Sequence, residues 1–219
     1  MKTVLVVSVL FLTLTLTSTP SHAFWWMGYH KPEFHGKVID AETKEPIEGA
    51  VVVAVYEKKS IGIAESYSVV INVKEVLTDK NGEFHIPSYT TILQPLSWEY
   101  DVDFIIFKPG YGSFPDGRIQ PPKGMQTHKA TPTSFEDFFS SDFGMEKELW
   151  WSEPYKIGAE YKKIKVTFGI VELPKLKTWK ERSDAKAISP TFYEKEWPLL
   201  HEMIKKEDKW LKNNRGWRR

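Results

Sequence analysis

The residues with the clearest capacity for chemistry stand in two copies of one tripeptide. Glu33-Phe34-His35 recurs as Glu83-Phe84-His85, and each copy lies in a segment where apolar and polar residues alternate. Alternation with a period of two predicts a β-strand, in which the Glu and the His of each copy face the same side. If the two strands were neighbours, two histidines and two glutamates would lie together, and zinc binds such side chains.

Zinc binding is only one interpretation of these residues. The sequence has no His-Glu-x-x-His segment and no spacing that would fix a pocket around a metal. Two strand histidines that face solvent are the simpler interpretation, and on it the chain needs no metal and no other cofactor. The alternative is a metal-dependent hydrolase with four ligands: Glu33, His35, Glu83 and His85.

Other reactive arrangements in the sequence are weaker. Asp79-Lys80-Asn81-Gly82 begins like a calcium-binding loop but lacks the later Asp and the terminal Glu, so a hairpin turn is the simpler interpretation. No serine stands in a nucleophile-elbow context. No pair of carboxylates is spaced for acid–base chemistry. We therefore predict no catalytic residues and no enzymatic activity.

Aromatic side chains outside the predicted strands suggest a binding function. Exposed rings stack on sugars or fill pockets of a protein partner. The alternative is that these rings pack their segment against the body of the domain. The candidate ligand-binding residues are Phe135, Phe138, Phe139, Trp150 and Trp151.

Alternating segments and turn residues predict the elements that would position these side chains. Strands are predicted at residues 34–39, 50–56, 69–77, 83–86, 100–107 and 162–173. The unbroken apolar run at 50–56 indicates a strand buried on both faces or nearly so. Residues 57–68 are predicted to form a loop or to contain a short helix at 61–67, and residues 87–97 are predicted to form a loop.

Helices are predicted near residues 134–139, at 178–187 and towards the C-terminus. Ser189-Pro190 has the residue types of a helix start. The last helix has an apolar stripe made of Leu200, Met203, Ile204, Trp210 and Leu211. Its basic end could contact anionic lipid headgroups, although a solvated helix end is the simpler interpretation.

The N-terminus predicts export. Lys2 precedes an apolar run at residues 4–16, and Ser21-His22-Ala23 supplies small residues where a signal peptidase cleaves. We therefore predict a signal peptide at residues 1–23 and a periplasmic or extracellular protein without a transmembrane segment after cleavage. An uncleaved anchor is the alternative, but the apolar run is shorter than the roughly 20 residues of a spanning helix.

Composition narrows the possible partners and bonds. The net charge is +1 over 219 residues, which gives no strong attraction to nucleic acid, and no nucleic-acid partner is predicted. The chain has no Cys, so neither a disulfide nor a thiolate metal site can form. A core large enough for a stable domain can be built without them, and a monomer is predicted.

Between residues 34 and 111 the sequence resembles the carboxypeptidase regulatory-like domain, a member of the transthyretin-like (prealbumin-like) β-sandwiches. The matching pattern is G-x-V-x-D-x-x-T-x-x-P-I-x-G-A, then T-D-x-x-G-x-F-x-I, then a strand ending in G-Y. The principal motif residues are Gly36, Asp40, Pro46, Gly49, Thr78, Asp79, Gly82, Gly110 and Tyr111. The resemblance implies that these residues serve the fold and that the domain is an accessory module.

The predicted organisation and function follow from these observations together. We expect a mainly β chain with a seven-stranded transthyretin-like Greek-key β-sandwich, an irregular insertion and a helical C-terminal appendage. The predicted units are 1–23 (signal peptide), 24–111 with 160–174 (sandwich), 112–159 (aromatic and Pro-rich insertion) and 175–219 (helical extension). The predicted function is a non-catalytic structural or binding module with an envelope protein or glycan as partner; a carbohydrate-binding module is an alternative.

Overall fold

The computed structural model describes residues 28–62, 65–114, 135–140, 143–151, 162–185 and 197–215. The predicted signal peptide at 1–23 and the predicted helix start at Ser189-Pro190 lie outside these ranges. Within them, no helix combines the length and the apolar character that crossing a membrane requires.

The described residues form ten strands and three helices, so the prediction of a mainly β chain with C-terminal helices is confirmed. The strands are β1 (Gly28–Lys31), β2 (Phe34–Asp40), β3 (Val51–Ile61), β4 (Ser66–Leu77), β5 (Glu83–Ile86), β6 (Tyr89–Ile92), β7 (Ser97–Phe107), β8 (Glu146–Trp151), β9 (Lys162–Thr167) and β10 (Ile170–Leu173). The helices are α1 (Phe135–Ser140), α2 (Trp179–Asp184) and α3 (Pro198–Asn213).

Two three-stranded sheets share the main core. One has the order β10-β2-β5 and the other β4-β3-β7, while β1-β6 and β8-β9 are two-stranded. β2 runs antiparallel to β5 and parallel to β10. The inward rings of Phe34 on β2 and Phe104 on β7 meet edge to face, with centroids 5.1 Å apart. The inward residues of both sheets therefore form one apolar cluster.

The helix α3 covers the outer face of the β4-β3-β7 sheet. Val51, Val53 and Val55 of β3 form a second apolar cluster with Trp197, Leu200 and Met203 at and within α3. Val52 and Ala54 face the main core instead. This burial on both faces confirms the prediction from the unbroken apolar run, because every residue from Val51 to Tyr56 is buried.

The turn after β4 shows how the motif residues serve the fold. The Thr78 hydroxyl donates to the Ile47 carbonyl at 2.6 Å and accepts from the Ala50 N–H at 2.8 Å. Gly82 adopts φ +73°, and a Cβ there would lie 2.4 Å from the Val38 carbonyl oxygen. These contacts tie the two three-stranded sheets together at one corner.

Asp40 organises a second turn at the end of β2. Its Oδ1 accepts from the backbone N–H groups of Glu42 at 2.8 Å and Thr43 at 3.0 Å. The pKa of Asp40 lies below its usual range, chiefly because of the bond from Thr43. The bond from Glu42 and a further bond from the Tyr111 hydroxyl add to this effect. Asp40 is buried, so its carboxylate is a structural group.

Three predictions of local structure are wrong. Residues 57–61 and 66–68 are strand and not loop or helix, because β3 continues to Ile61 and β4 begins at Ser66. Asp79-Lys80-Asn81-Gly82 is a turn but not a hairpin, because β4 and β5 belong to different sheets. The single closing strand at 162–173 is two strands, since Gly169 with φ +74° breaks it.

Two further differences concern connections. The stretch 87–97 contains the short strand β6, which pairs with β1 in the register Tyr89↔Lys31. The short helix predicted near residues 134–139 is confirmed as α1, but the insertion also contributes the unpredicted strand β8, which pairs with β9.

Candidate functional site

The structure brings together three of the four residues in the repeated tripeptides. His35 and His85 are direct partners in the antiparallel β2-β5 pair. Their rings stack, with centroids 4.5 Å apart and an interplanar angle of 13°. The Glu33 carboxylate lies 3.3 Å from the Nε2 of His35 through one oxygen and 3.3 Å from the Nε2 of His85 through the other. The hydrogen bond from His35, and to a smaller extent that from His85, lowers the pKa of Glu33.

Glu83, the fourth predicted ligand, does not join this group. The register places Glu83 opposite Lys37, and their side chains form an ion pair at 3.7 Å. The reason is the antiparallel direction of the strands, which puts the Glu of each tripeptide on opposite sides of the central His35–His85 pair. The four-ligand arrangement is therefore corrected to a three-residue cluster of Glu33, His35 and His85.

The predicted aromatic binding surface is not supported at its three phenylalanines. Phe135, Phe138 and Phe139 are buried, with exposed fractions of 5, 5 and 2%. They belong to α1, and the Phe139 ring packs against Phe104 of β7 at 4.5 Å between centroids. The alternative interpretation is thus correct for these rings, because α1 packs its apolar side into the main core instead of presenting it to a ligand.

Trp150 and Trp151 are the last two residues of β8 and pair with Lys163 and Lys162 of β9. Their side chains lie outside the described part of the structure, so their role as a binding platform stays a prediction.

A cleft of about 620 Å³ lies between α2 and the end of α3. Its lining combines two indole rings with polar and charged side chains from both elements. The lining residues are Lys177, Thr178, Trp179, Lys180, Ser183, Asp184, Trp210, Asn214 and Arg215. Such a combination allows apolar stacking and directed hydrogen bonds at one site.

The local structure of α2 explains how Trp179 is held at the cleft. Thr178 and Glu181 form a capping box, in which each side chain bonds to the backbone N–H of the other residue. Trp179 is the first residue of the helix, and its indole Nε1 donates to the Leu211 carbonyl of α3 at 3.0 Å. The capping box fixes the start of α2, and the indole bond fixes its distance from α3.

A buried ion pair joins α2 to α3 beside the cleft. Arg182 of α2 donates to Glu207 of α3 through Nε at 2.6 Å, and also through Nη2. Glu207 accepts in addition from the Gly110 backbone N–H at 3.0 Å. The Arg182 guanidinium stacks on the Trp210 ring, 3.5 Å from its centroid. Both helices and the turn after β7 are thus joined through one carboxylate.

Sequence reasoning did not find this cleft. It noted the apolar stripe that includes Trp210, but no pattern indicated that α2 would lie beside the end of α3. The only signal was the presence of tryptophans outside the predicted strands. Their meeting depends on Arg182 and Glu207, which are 25 residues apart and belong to no recognisable motif.

Comparison with protein-family models, curated proteins and solved structures found no match for this chain. The resemblance to the carboxypeptidase regulatory-like domain therefore stays a prediction based on the residues quoted above. Functional inference has to come from the geometry of the two sites.

Proposed function

We propose that this chain is an exported, non-catalytic module that binds a glycan of the cell envelope in the cleft between α2 and α3. The observation that supports this function is the pair of indoles, Trp179 and Trp210, in one cleft with hydroxyl, amide and charged side chains. The proposal of export rests on the predicted signal peptide.

The chemistry of the cleft favours a sugar over a purely apolar ligand. A sugar ring has apolar C–H faces and a rim of hydroxyl groups, so it needs a flat aromatic surface next to hydrogen-bonding groups. Trp179 and the face of the Trp210 ring that Arg182 does not cover supply the first, while Thr178, Ser183 and Asn214 supply the second. The volume of about 620 Å³ lies in the range of roughly 300–1,000 Å³ that is usual for ligand sites.

The charges around the cleft favour an acidic sugar. Lys177, Lys180 and Arg215 line it together with one carboxylate, that of Asp184. Lys177 is already paired with Glu42 at 2.9 Å, so Lys180 and Arg215 are the cations best placed for a ligand. They would attract a uronic acid or a sulfated sugar more strongly than a neutral one.

A glycan array followed by calorimetry with the purified protein tests this function. We expect the array to show binding to envelope-type glycans, strongest for those that contain acidic sugars. Trp179→Ala should weaken the affinity at least about tenfold, which corresponds to about 1.4 kcal/mol. Lys180→Ala and Arg215→Ala should weaken binding of acidic glycans and leave neutral ones nearly unchanged.

One control tests whether the effect is specific to the cleft, and the other tests for loss of structure at the charged positions. Trp98→Ala removes another exposed tryptophan, which lies on β7 and not in the cleft, and should leave affinity unchanged. Lys180 and Arg215 are exposed, so their variants should unfold like the unchanged protein. An array without hits, or hits that are equally strong in the Trp179→Ala, Lys180→Ala and Arg215→Ala variants, would refute the proposal.

A further inference from the structure

The cluster of Glu33, His35 and His85 has the ligand types and the spacing of a metal site. All three potential ligand atoms lie within 4.8 Å of one another. Two imidazoles and one carboxylate are a ligand set that Zn²⁺ accepts, with a fourth coordination position left open. The cluster is on the outer face of the β10-β2-β5 sheet and shares no residue with the cleft, so it is independent of the proposed glycan site.

The Glu33 carboxylate bridges the two imidazoles, with one oxygen near each ring. Both Glu33–histidine separations are 3.3 Å, whereas a charge-assisted N–H···O bond is usually about 2.7–2.9 Å. Two ligands placed about 2.0–2.1 Å from a tetrahedral zinc ion are about 3.3 Å apart. Each carboxylate–imidazole separation therefore matches that of two ligands of one ion. The imidazoles are stacked, so a rotation of the rings about their side-chain bonds is needed to point both Nε2 atoms at that ion.

The core fixes the pairing of His35 with His85 before any ion binds. Phe34 precedes His35 and is fully buried, while Phe84 and Ile86 flank His85 and are buried too. A Cβ on Gly36 would lie 2.4 Å from the Phe84 ring, which shows how closely β2 and β5 pack. Because inward side chains alternate with outward ones, this packing forces both imidazoles onto the same outer face.

We propose that Glu33, His35 and His85 form a surface site for Zn²⁺, or a chemically related first-row divalent ion, with three protein ligands. The open fourth position takes water or a donor atom from another molecule. The side chains of His35, His85 and Glu33 are 46, 51 and 62% exposed, so an ion can enter without any movement of the backbone. This exposure also means that the ion can exchange with solvent.

Calorimetric titration of the purified, tag-free protein with ZnCl₂ tests the site directly. We expect one zinc ion per chain, and His35→Ala, His85→Ala and Glu33→Gln should each lower the affinity by roughly tenfold or more. Glu83→Gln is the matched control, because Glu83 stands in the second tripeptide but pairs with Lys37; its affinity should stay unchanged. His30→Ala, which removes a histidine bonded to Thr90, should also have no effect.

Side-chain ¹⁵N NMR provides a second, independent measurement. Zinc should shift the Nε2 resonances of His35 and His85 together and leave those of His30 in place. Thermal unfolding of the variants shows whether they fold, and we expect them to, because all three side chains are about half exposed. The proposal is overturned if no binding is detected up to about 1 mM zinc, or if His35→Ala and His85→Ala bind zinc as well as the unchanged protein does.

Discussion

The carboxylate of Glu207 should contribute more to stability than any exposed ion pair on this protein. Its side chain is 5% exposed and that of Arg182 is 12% exposed. Replacing Glu207 with Ala removes two bonds to the guanidinium and one to the Gly110 N–H. The change leaves a largely buried cation without its counter-charge.

The expected loss follows from the cost of a buried unpaired charge. Removing one partner of a buried pair costs about 3–5 kcal/mol. Arg182 retains some access to water and stacks on Trp210, so the lower end of that range applies. We expect Glu207→Ala to lower the free energy of unfolding by about 3 kcal/mol.

An exposed ion pair in the same region provides the matched control. Lys177, just before α2, pairs with Glu42 at 2.9 Å, and both side chains are at least 60% exposed. Solvent screens such a pair, so Glu42→Ala should cost less than about 1 kcal/mol. The two variants therefore compare a buried carboxylate, paired with Arg182, with an exposed carboxylate, paired with Lys177.

Urea denaturation followed by far-UV circular dichroism and by tryptophan fluorescence measures both variants. The two probes should give the same transition, which shows that α2 and α3 unfold with the rest of the domain. A double variant, Arg182→Met with Glu207→Leu, should recover most of the lost stability, because apolar residues can replace a buried ion pair at little cost. The reasoning is refuted if Glu207→Ala and Glu42→Ala differ by less than about 1 kcal/mol.

Three further predictions concern the frame of the domain. Phe139→Ala removes a ring that is 2% exposed and contacts four other phenylalanines; thermal or urea unfolding should show a loss of about 3–5 kcal/mol. Gly82→Ala should destabilise more than Gly144→Ala, since both have positive φ but only Gly82 would place a Cβ 2.4 Å from a carbonyl oxygen; equal losses would contradict the close approach. Asp40 has a lowered pKa in the folded protein. Its ionised carboxylate therefore contributes fully to the free energy of unfolding above the usual carboxyl pKa, and this contribution is lost as the pH falls through the lower pKa of the folded state. The stability difference between the unchanged protein and Asp40→Asn should therefore shrink in acid, and a difference that grows on acidification would contradict this sign.

The sequence predicted those strands in which buried and exposed residues alternate regularly along the chain. The alternation in β2 and β5 correctly placed Phe84 and Ile86 inward and His85 outward. The prediction failed at residues 57–61. There β3 continues through polar residues, among them Lys58 and Lys59, and stays paired with both β4 and β7. Backbone bonds to two neighbouring strands sustain the strand there, and those bonds leave no trace in the side-chain pattern.

Connections between strands were harder to predict than the strands themselves. The residues of Asp79-Lys80-Asn81-Gly82 correctly indicated a tight turn, and Asp79 accepts from the N–H groups of Asn81 and Glu83 as expected for its type. Turn chemistry, however, does not determine which strand the chain pairs with afterwards. The same turn would fit a hairpin, but here it leads from β4 in one sheet to β5 in the other.

The two candidate sites differ in how much of them was visible in the sequence. The pairing of His35 with His85 needed only one fact that the sequence did not supply, that β2 and β5 are neighbours. The antiparallel direction then decided that Glu33, and not Glu83, would meet both rings. The cleft needed the relative placement of two helices, which depends on the contacts of Arg182 and Glu207 and not on any periodic pattern.

The position of the histidine pair is a consequence of core packing. A slip of one residue between β2 and β5 would turn an inward ring such as Phe84 to solvent and bring His85 into the core. Burial of Phe34, Phe84 and Ile86 opposes that slip, so the register that builds the core also holds the two imidazoles face to face. Glu33 is different, because it lies before β2 and its reach depends on the short connection from β1. If the site binds zinc, its affinity should therefore be more sensitive to changes in that connection than to conservative changes in the core.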